Sequence, residues 1–246
     1  LSIDSQRHTQ GLFFTTTKVE QQKDNPMNTN NSTRTKRTQI FAGVIALVGL
    51  GAMMLGAGAS EKKTELGSPA QVGQQAPDFT LVDLEGNKHT LAEYTAKGQT
   101  VVLEWFSPVC PFVKKHYRED TGTMLAIQED LKDESVVWLR INSTKASHPA
   151  AGADLNKATA QKWGITTPIL FDSKGSVGKA YGAKRTPEMY IINAQGVLTY
   201  HGAIDNKPDA AAPGDVNYVR NALMETLAGE TVTKSSSKAY GCSIKY

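Results

Sequence analysis

The chain has 246 residues, 39% hydrophobic and 21% charged, an ordinary balance that excludes a fibrous or wholly disordered protein. Residues 1–59 carry six Lys/Arg against three Asp/Glu, which accounts for the whole formal net charge of +3. The remainder is neutral, so charge gives no support to nucleic-acid binding, and two cysteines, Cys110 and Cys242, are too few for a disulfide scaffold.

Residues 40–59 are uncharged, follow Arg34, Lys36 and Arg37, and end in Ala57-Gly58-Ala59, an A-x-A-like cleavage site before Ser60. That is the plan of a secretory signal peptide. About 20 apolar residues also suffice for a single-span membrane anchor, although the five glycines in the run count against it. Met27 is read as the start of translation, with residues 1–26 an upstream extension. Either reading keeps the Lys/Arg cluster cytoplasmic and exports the rest, to the periplasm or the outer face of the membrane. Both cysteines then lie where disulfides form and persist.

Residues 60–75 are small and polar and read as a linker. Residues 78–84 alternate as a strand, Glu85-Gly86-Asn87 reads as a turn, and 88–91 return as a partner strand. The run TVVLEWF at 100–106 is a central buried strand. Pro111 opens a helix-compatible stretch to about 132, with a break near Thr121-Gly122. Strands follow at 136–142 and 168–171, a helix at 154–163 and a helical turn at 177–181. Residues 189–193 and 197–201 flank a hairpin signal, and 215–227 form a last amphipathic helix. The pattern describes an α/β domain over 76–229, with a mixed central β-sheet flanked by helices. Residues 230–246 are a polar, serine-rich tail containing Cys242.

A redox cysteine needs its thiolate, which a helix N-terminus and nearby cations favour. Cys110 fits if Pro111 takes the first helical position, with Lys114, Lys115 and His116 close behind. The alternative is a buried structural cysteine.

With Cys110-Pro111-Phe112-Val113 at a strand-to-helix junction, the chain resembles the thioredoxin superfamily, and within it the peroxiredoxin-like redoxins of AhpC/TSA type with a single active-site cysteine. The resemblance implies the thioredoxin fold and an oxidoreductase with Cys110 as nucleophile. Val113 replaces the second cysteine of C-x-x-C. Glu104, six residues before Cys110, stands where thioredoxins bury an acid that assists proton transfer; its other reading is an edge charge reaching solvent. Thr186-Pro187 before the apolar run 189–193 resembles the thioredoxin loop whose cis-proline packs against the reactive cysteine. Pro111, Thr186 and Pro187 are thereby implied to face the substrate.

Ser107, three residues before Cys110, matches a peroxiredoxin position, but Leu103 replaces the proline seven residues before it. Pro187 occupies about the place of the peroxiredoxin arginine. Arg185 is two residues away and either presents a cation to the thiolate or peroxide oxygen or is simply exposed. General thiol chemistry therefore ranks above efficient peroxidase activity. Cys242 supplies the resolving thiol that Val113 withholds: the 15 residue steps from Leu227 can span about 50 Å. A permanent Cys110–Cys242 staple is the alternative. Two further readings remain, a redox-inactive thioredoxin-fold module and a copper or zinc carrier, the latter without closely spaced ligands. No cofactor is called for. The expected substrate is a thiol or disulfide protein or a small oxidant such as peroxide, and the electron donor is not named by the sequence. Export predicts that N-terminal sequencing of the envelope-fraction protein begins near Ser60 or retains the apolar span; a full-length soluble cytoplasmic protein would refute it.

Overall fold

All six residues of β3 (Thr100–Trp105) are buried, because neighbours flank it on both sides and helices cover both faces. The computed structural model describes residues 68–246; the apolar run at 40–59 and residues 60–67 of the expected linker lie outside the described residues. Among the described residues, no helix is long and apolar enough to cross a membrane. β3 pairs in parallel with β4 (Val136–Asn142) and antiparallel with β7 (Glu188–Ile192). With β1 (Thr80–Asp83), β2 (Lys88–Thr90), β5 (Ile169–Phe171) and β8 (Leu198–Gly202), they form a seven-stranded mixed sheet in the order β2-β1-β5-β4-β3-β7-β8. The strand period of two sends Val101, Leu103 and Trp105 to one face. There they pack with Leu91 of α1 (Leu91–Thr95) and with Val177 and Tyr181 of α5 (Ser176–Tyr181). Val102 and Phe106 go to the other face, covered by α2 (Pro111–Lys114), α3 (Thr123–Asp130), α4 (Ala153–Trp163) and α6 (Tyr218–Leu227).

Two helices differ from the expectation. The stretch after Pro111 stays helical for only one turn, because Lys115, His116 and Tyr117 are all buried, at 1%, 0% and 3% exposure. Three consecutive side chains on a helix fan over about 200° and cannot share one inward face, so the backbone tightens into turns there. The last helix begins at Tyr218 rather than Asp215, since the Asn217 side chain accepts a hydrogen bond from the Arg220 N–H and caps it. Asp215 instead accepts from the Asn206 amide at 2.7 Å.

The tail does not hang free of the domain. Val232 is buried, and Ser236 forms a bridge with His201 on β8. The Ser237 hydroxyl accepts from the Ala203 N–H at 2.9 Å and bonds the Tyr200 hydroxyl at 2.7 Å. Farther on, Cys242–Ser243 form β9, paired antiparallel with β6 (Arg185–Thr186). The Ile244 N–H donates to Lys184, and the Tyr246 hydroxyl donates to the Ala183 carbonyl. Lone polar residues in a serine-rich segment carry no period, which is why the docking was not legible. Ser237→Ala strands the Ala203 N–H and one Tyr200 bond, so chemical denaturation is expected to show a loss of about 1–3 kcal/mol.

Candidate active site

β3 ends one residue before Phe106, whose N–H still bonds Ile141 on β4, and the chain then turns through Ser107-Pro108-Val109. The Cys110 N–H donates to the Ser107 carbonyl at 3.2 Å, and the Cys110 carbonyl accepts from Val113 and Lys114 as the helix cap. Pro111 takes the first helical position and is exposed. Val113, where C-x-x-C proteins carry their second cysteine, is fully buried in the apolar cluster that also holds Cys110.

The Thr186–Pro187 peptide is cis. The loop before it is held by the buried carboxylate of Glu188, whose Oε2 accepts the N–H groups of Lys184 at 2.7 Å and Arg185 at 2.8 Å. Its Oε1 is 2.8 Å from His201 Nε2. The Cys110 Sγ lies 2.9 Å from the Thr186 carbonyl oxygen and, across the β6–β9 pairing, 2.9 Å from Cys242 Sγ. Thr186 and Cys242 are register partners. Gly241 makes the approach possible: its φ is +127°, and a Cβ there would lie 2.1 Å from the Thr186 oxygen. Burial, with the Cys110 sulfur alongside, pushes the Cys242 thiol up to about 12, partly offset by Lys245 and Arg185. A cavity of about 360 Å³ is lined by Cys110 and Cys242 together with Ser107, Thr186, Thr144, His148 and Lys245.

The structure thus brings together Cys110, Cys242, Ser107, Thr186 and the Pro187 peptide. It does not bring Glu104 or Arg185 onto the Cys110 sulfur. Glu104 is buried, as its place in an apolar strand implied, but it accepts from the Tyr117 hydroxyl and lies 3.5 Å from Arg140 Nε. Burial raises its pKa, opposed by Arg140 and the Tyr117 hydrogen bond. The Arg185 guanidinium donates to the Ser243 hydroxyl at 2.8 Å. The cations expected beside the thiol also lie elsewhere. Lys114 is exposed, and Lys115, buried, points at Asp205 3.5 Å away and donates to the Lys207 carbonyl at 2.7 Å. His116 is pushed down to about 4 by burial, despite Asp205 at 3.8 Å.

Sequence reasoning missed Glu188, Asp205 and Tyr240. Tyr240, two residues before Cys242, donates its hydroxyl to Asp205 and lies under the Lys115 ammonium, 4.7 Å from the ring centroid. Arg140 left a usable signal, as a lone cation in the apolar run 136–142; its pairing opposite Glu104 comes from the fold. Among the described residues, no three His, Cys, Asp or Glu gather as a metal site.

A mixed sheet with a cysteine after its central strand, faced by a cis-proline loop, defines a redoxin of the thioredoxin superfamily, an oxidoreductase enzyme. The chain belongs to the AhpC/TSA family, whose profile matches residues 72–201. It is 34% identical over 136 residues to the thioredoxin-like protein YneN of Bacillus subtilis, covering 55% of this chain and 72% of that one. It is 30% identical over 125 residues to the thiol-disulfide oxidoreductase ResA of Geobacillus thermodenitrificans, covering 51% of this chain and 65% of that one. Among solved structures, a hypothetical protein from Sinorhizobium meliloti superposes with a TM-score of 0.65 at 29% identity, covering 73% of this chain and 96% of that one. The family match ends before Asp205, Tyr240 and Cys242.

His116 has a folded pKa depressed from 6.5 to about 4, so the stability gained by holding it neutral is complete above pH 6.5 and is lost as pH falls towards 4. Asp205, depressed from 3.8, adds its loss only below that window. Glu104, raised by burial, acts in the opposite sense, so the His116 contribution is read as a difference: relative to the parent, His116→Asn is expected to lose less melting temperature between pH 6.5 and 4, and an identical pH profile would place the acid sensitivity elsewhere.

Proposed function

We propose that this chain is an exported thiol–disulfide oxidoreductase of the redoxin type, with Cys110 as the nucleophile and Cys242 as the resolving cysteine. The observation that carries the reading is the 2.9 Å between the sulfurs. A disulfide needs about 2.05 Å, so closure asks for a shift of about 1 Å. The Cys110 thiolate attacks a substrate disulfide, forming a Cys110–substrate bond while one substrate sulfur leaves as thiolate. Cys242 then gives up its proton and attacks Cys110 Sγ, forming the Cys110–Cys242 bond and releasing the second substrate thiol. The substrate gains two electrons and two protons, and the thiol pair becomes a disulfide. The timing follows from the electrostatics. Two of the influences that raise the Cys242 pKa come from Cys110 and lapse once Cys110 is in a mixed disulfide, while Lys245 and Arg185 still favour the Cys242 thiolate.

On this reading Ser107, Pro111, Thr186 and Pro187 form the substrate-facing shell, Glu104 serves as a buried proton store, and Arg185 adds positive potential beside Cys242. The substrate is a thiol or disulfide protein, in keeping with the name of ResA. Export rests on the basic and apolar pattern of residues 34–60. Family membership and the small cavity favour a second reading, a thiol peroxidase. Peroxide would convert Cys110 to a sulfenic acid with release of water, and Cys242 would condense with it, releasing a second water. Leu103 at the proline position and the engagement of Arg185 by Ser243 rank this reading second.

Peptide mapping after oxidation is expected to find the Cys110–Cys242 link, and Cys242→Ser to trap a mixed disulfide or sulfenic acid on Cys110. Gly241→Ala, which pushes β9 off β6, is expected to slow formation of the link by about tenfold or more through lower effective concentration. If the oxidised protein contains no such link and Cys242→Ser turns over normally, the resolving role is wrong.

A further inference from the structure

Resting on the reading of Cys110 as a nucleophile towards protein disulfides, we infer that the groove beside β6 and the tail receives an acidic segment of the substrate, next to its disulfide. The groove, of about 550 Å³, is lined by Arg185, by Tyr218 at the start of α6 and by tail residues between Lys234 and Gly241. Position is the first ground. Arg185 and Gly241 line the groove, and the next residues along the chain, Thr186 and Cys242, line the cavity together with Cys110. Successive Cα atoms are about 3.8 Å apart, so the groove and the cavity adjoin at the β6–β9 pairing. An extended chain advances about 3.3 Å per residue, so a substrate with its cysteine at Cys110 lays residues about two to five positions away over the groove.

Charge is the second ground. Lys234, Lys238 and Arg185 are exposed, and none of them forms an ion pair among the described residues. The one acid in the lining is Asp205, whose side chain is 1% exposed. Its oxygens accept from the Tyr240 hydroxyl, from the Lys207 and Gly214 N–H groups and from the Lys115 ammonium, so its charge is matched within the protein. Asp209 and Asp215 lie outside the lining; Asp209 faces Lys207 at 3.8 Å, and Asp215 accepts from the Asn206 amide at 2.7 Å. Three cations without a counter-charge therefore remain along the groove.

Their arrangement favours a peptide over a compact anion. Lys234 and Lys238 stand four positions apart in non-helical chain, and Arg185 comes from β6. The Lys234 ammonium lies 4.9 Å from the centroid of the Tyr218 ring, which holds it at the groove. Charges spread in this way meet several carboxylates in series, whereas a single phosphate calls for donors that converge on one point. The acidic segment is continuous with the reacting disulfide, so even weak pairing at the groove raises the concentration of that disulfide at Cys110. Of the groove residues only Arg185 falls within the family match, which assigns this preference to the tail and the segment after β8 and not to the shared redoxin core.

The test uses the reduced full-length protein and three synthetic peptides, each with one intramolecular disulfide loop flanked on both sides by a pair of Glu, Gln or Lys residues. The second-order rate constant for oxidation of the protein thiols is followed by acid quench, alkylation and mass measurement. At low salt the Glu peptide is expected to react about threefold to tenfold faster than the Gln peptide and the Lys peptide more slowly, the order collapsing at high salt. Lys234→Gln/Lys238→Gln is expected to lose most of the preference for Glu while its rate with the Gln peptide stays within about twofold of the parent. Lys157→Gln/Lys162→Gln removes the same charge from exposed positions of α4 outside the groove and is expected to keep the preference. Equal rates for the three peptides, a preference undiminished in the groove variant, or an equal loss in the α4 variant overturns the inference. The two proposals fail separately: if no peptide oxidises the protein, the thiol–disulfide reading is defeated and this inference with it, and if all three do so at one rate, only this inference is defeated.

Discussion

The Glu188 carboxylate accepts two successive backbone N–H groups, those of Lys184 and Arg185, and so sets the path of β6 before the chain enters the cis peptide. Much of the sulfur geometry depends on that path. β6 presents the Thr186 carbonyl to Cys110 on one side and the pairing edge for β9 on the other. A buried carboxylate is costly to desolvate, and this one is matched by two backbone donors and His201, a set that a neutral side chain would match only in part. The interaction is local in sequence, yet it sets the distance between two cysteines 132 positions apart.

A second polar cluster holds the tail from the other direction. Lys115, His116, Asp205 and Tyr240 are drawn from the turn after α2, the loop after β8 and the tail, and three of the four are almost wholly buried. Such a cluster is a poor source of net stability, because removing charges from water costs several kcal/mol per ion. What it contributes is uniqueness of arrangement: Asp205 has one position in which Lys115, the Gly214 N–H and the Tyr240 hydroxyl are all satisfied. Tyr240 in that position brings Gly241 and Cys242 to β6. The Tyr246 ring, seated over Gly175 and Gly178, holds the far end of the tail.

Much of the fold was legible in the sequence because it follows from periodicity. The apolar runs at 100–106, 136–142 and 189–193 placed three central strands to within a residue or two, and the burial of β3 on both faces follows from a run that is apolar at successive positions. The thioredoxin fold, with its mixed sheet and flanking helices, is the architecture observed. The junction around Cys110 was legible as well, since Pro111 marks a helix start by the geometry of its ring.

Where the sequence misled about the charges near Cys110, the cause was the same each time: a charge has a direction that no linear pattern records. Lys114, Lys115 and His116 follow Cys110 closely in sequence, but the turn after α2 sends two of them to Asp205. Arg185 lies beside the cis-proline and yet reaches for Ser243. By itself, the sequence determined the seven strands of the main sheet, most of the helical stretches and the identity of the two cysteines available for chemistry. Only the tertiary structure decided that the serine-rich tail is a docked element, that Glu188 and Asp205 organise it, and that Cys242 stands opposite Thr186. Those features rest on single hydrogen bonds, one glycine conformation and contacts across more than a hundred residues. Interactions of that kind have directions and partners but no period, so they become visible only when the chain is folded.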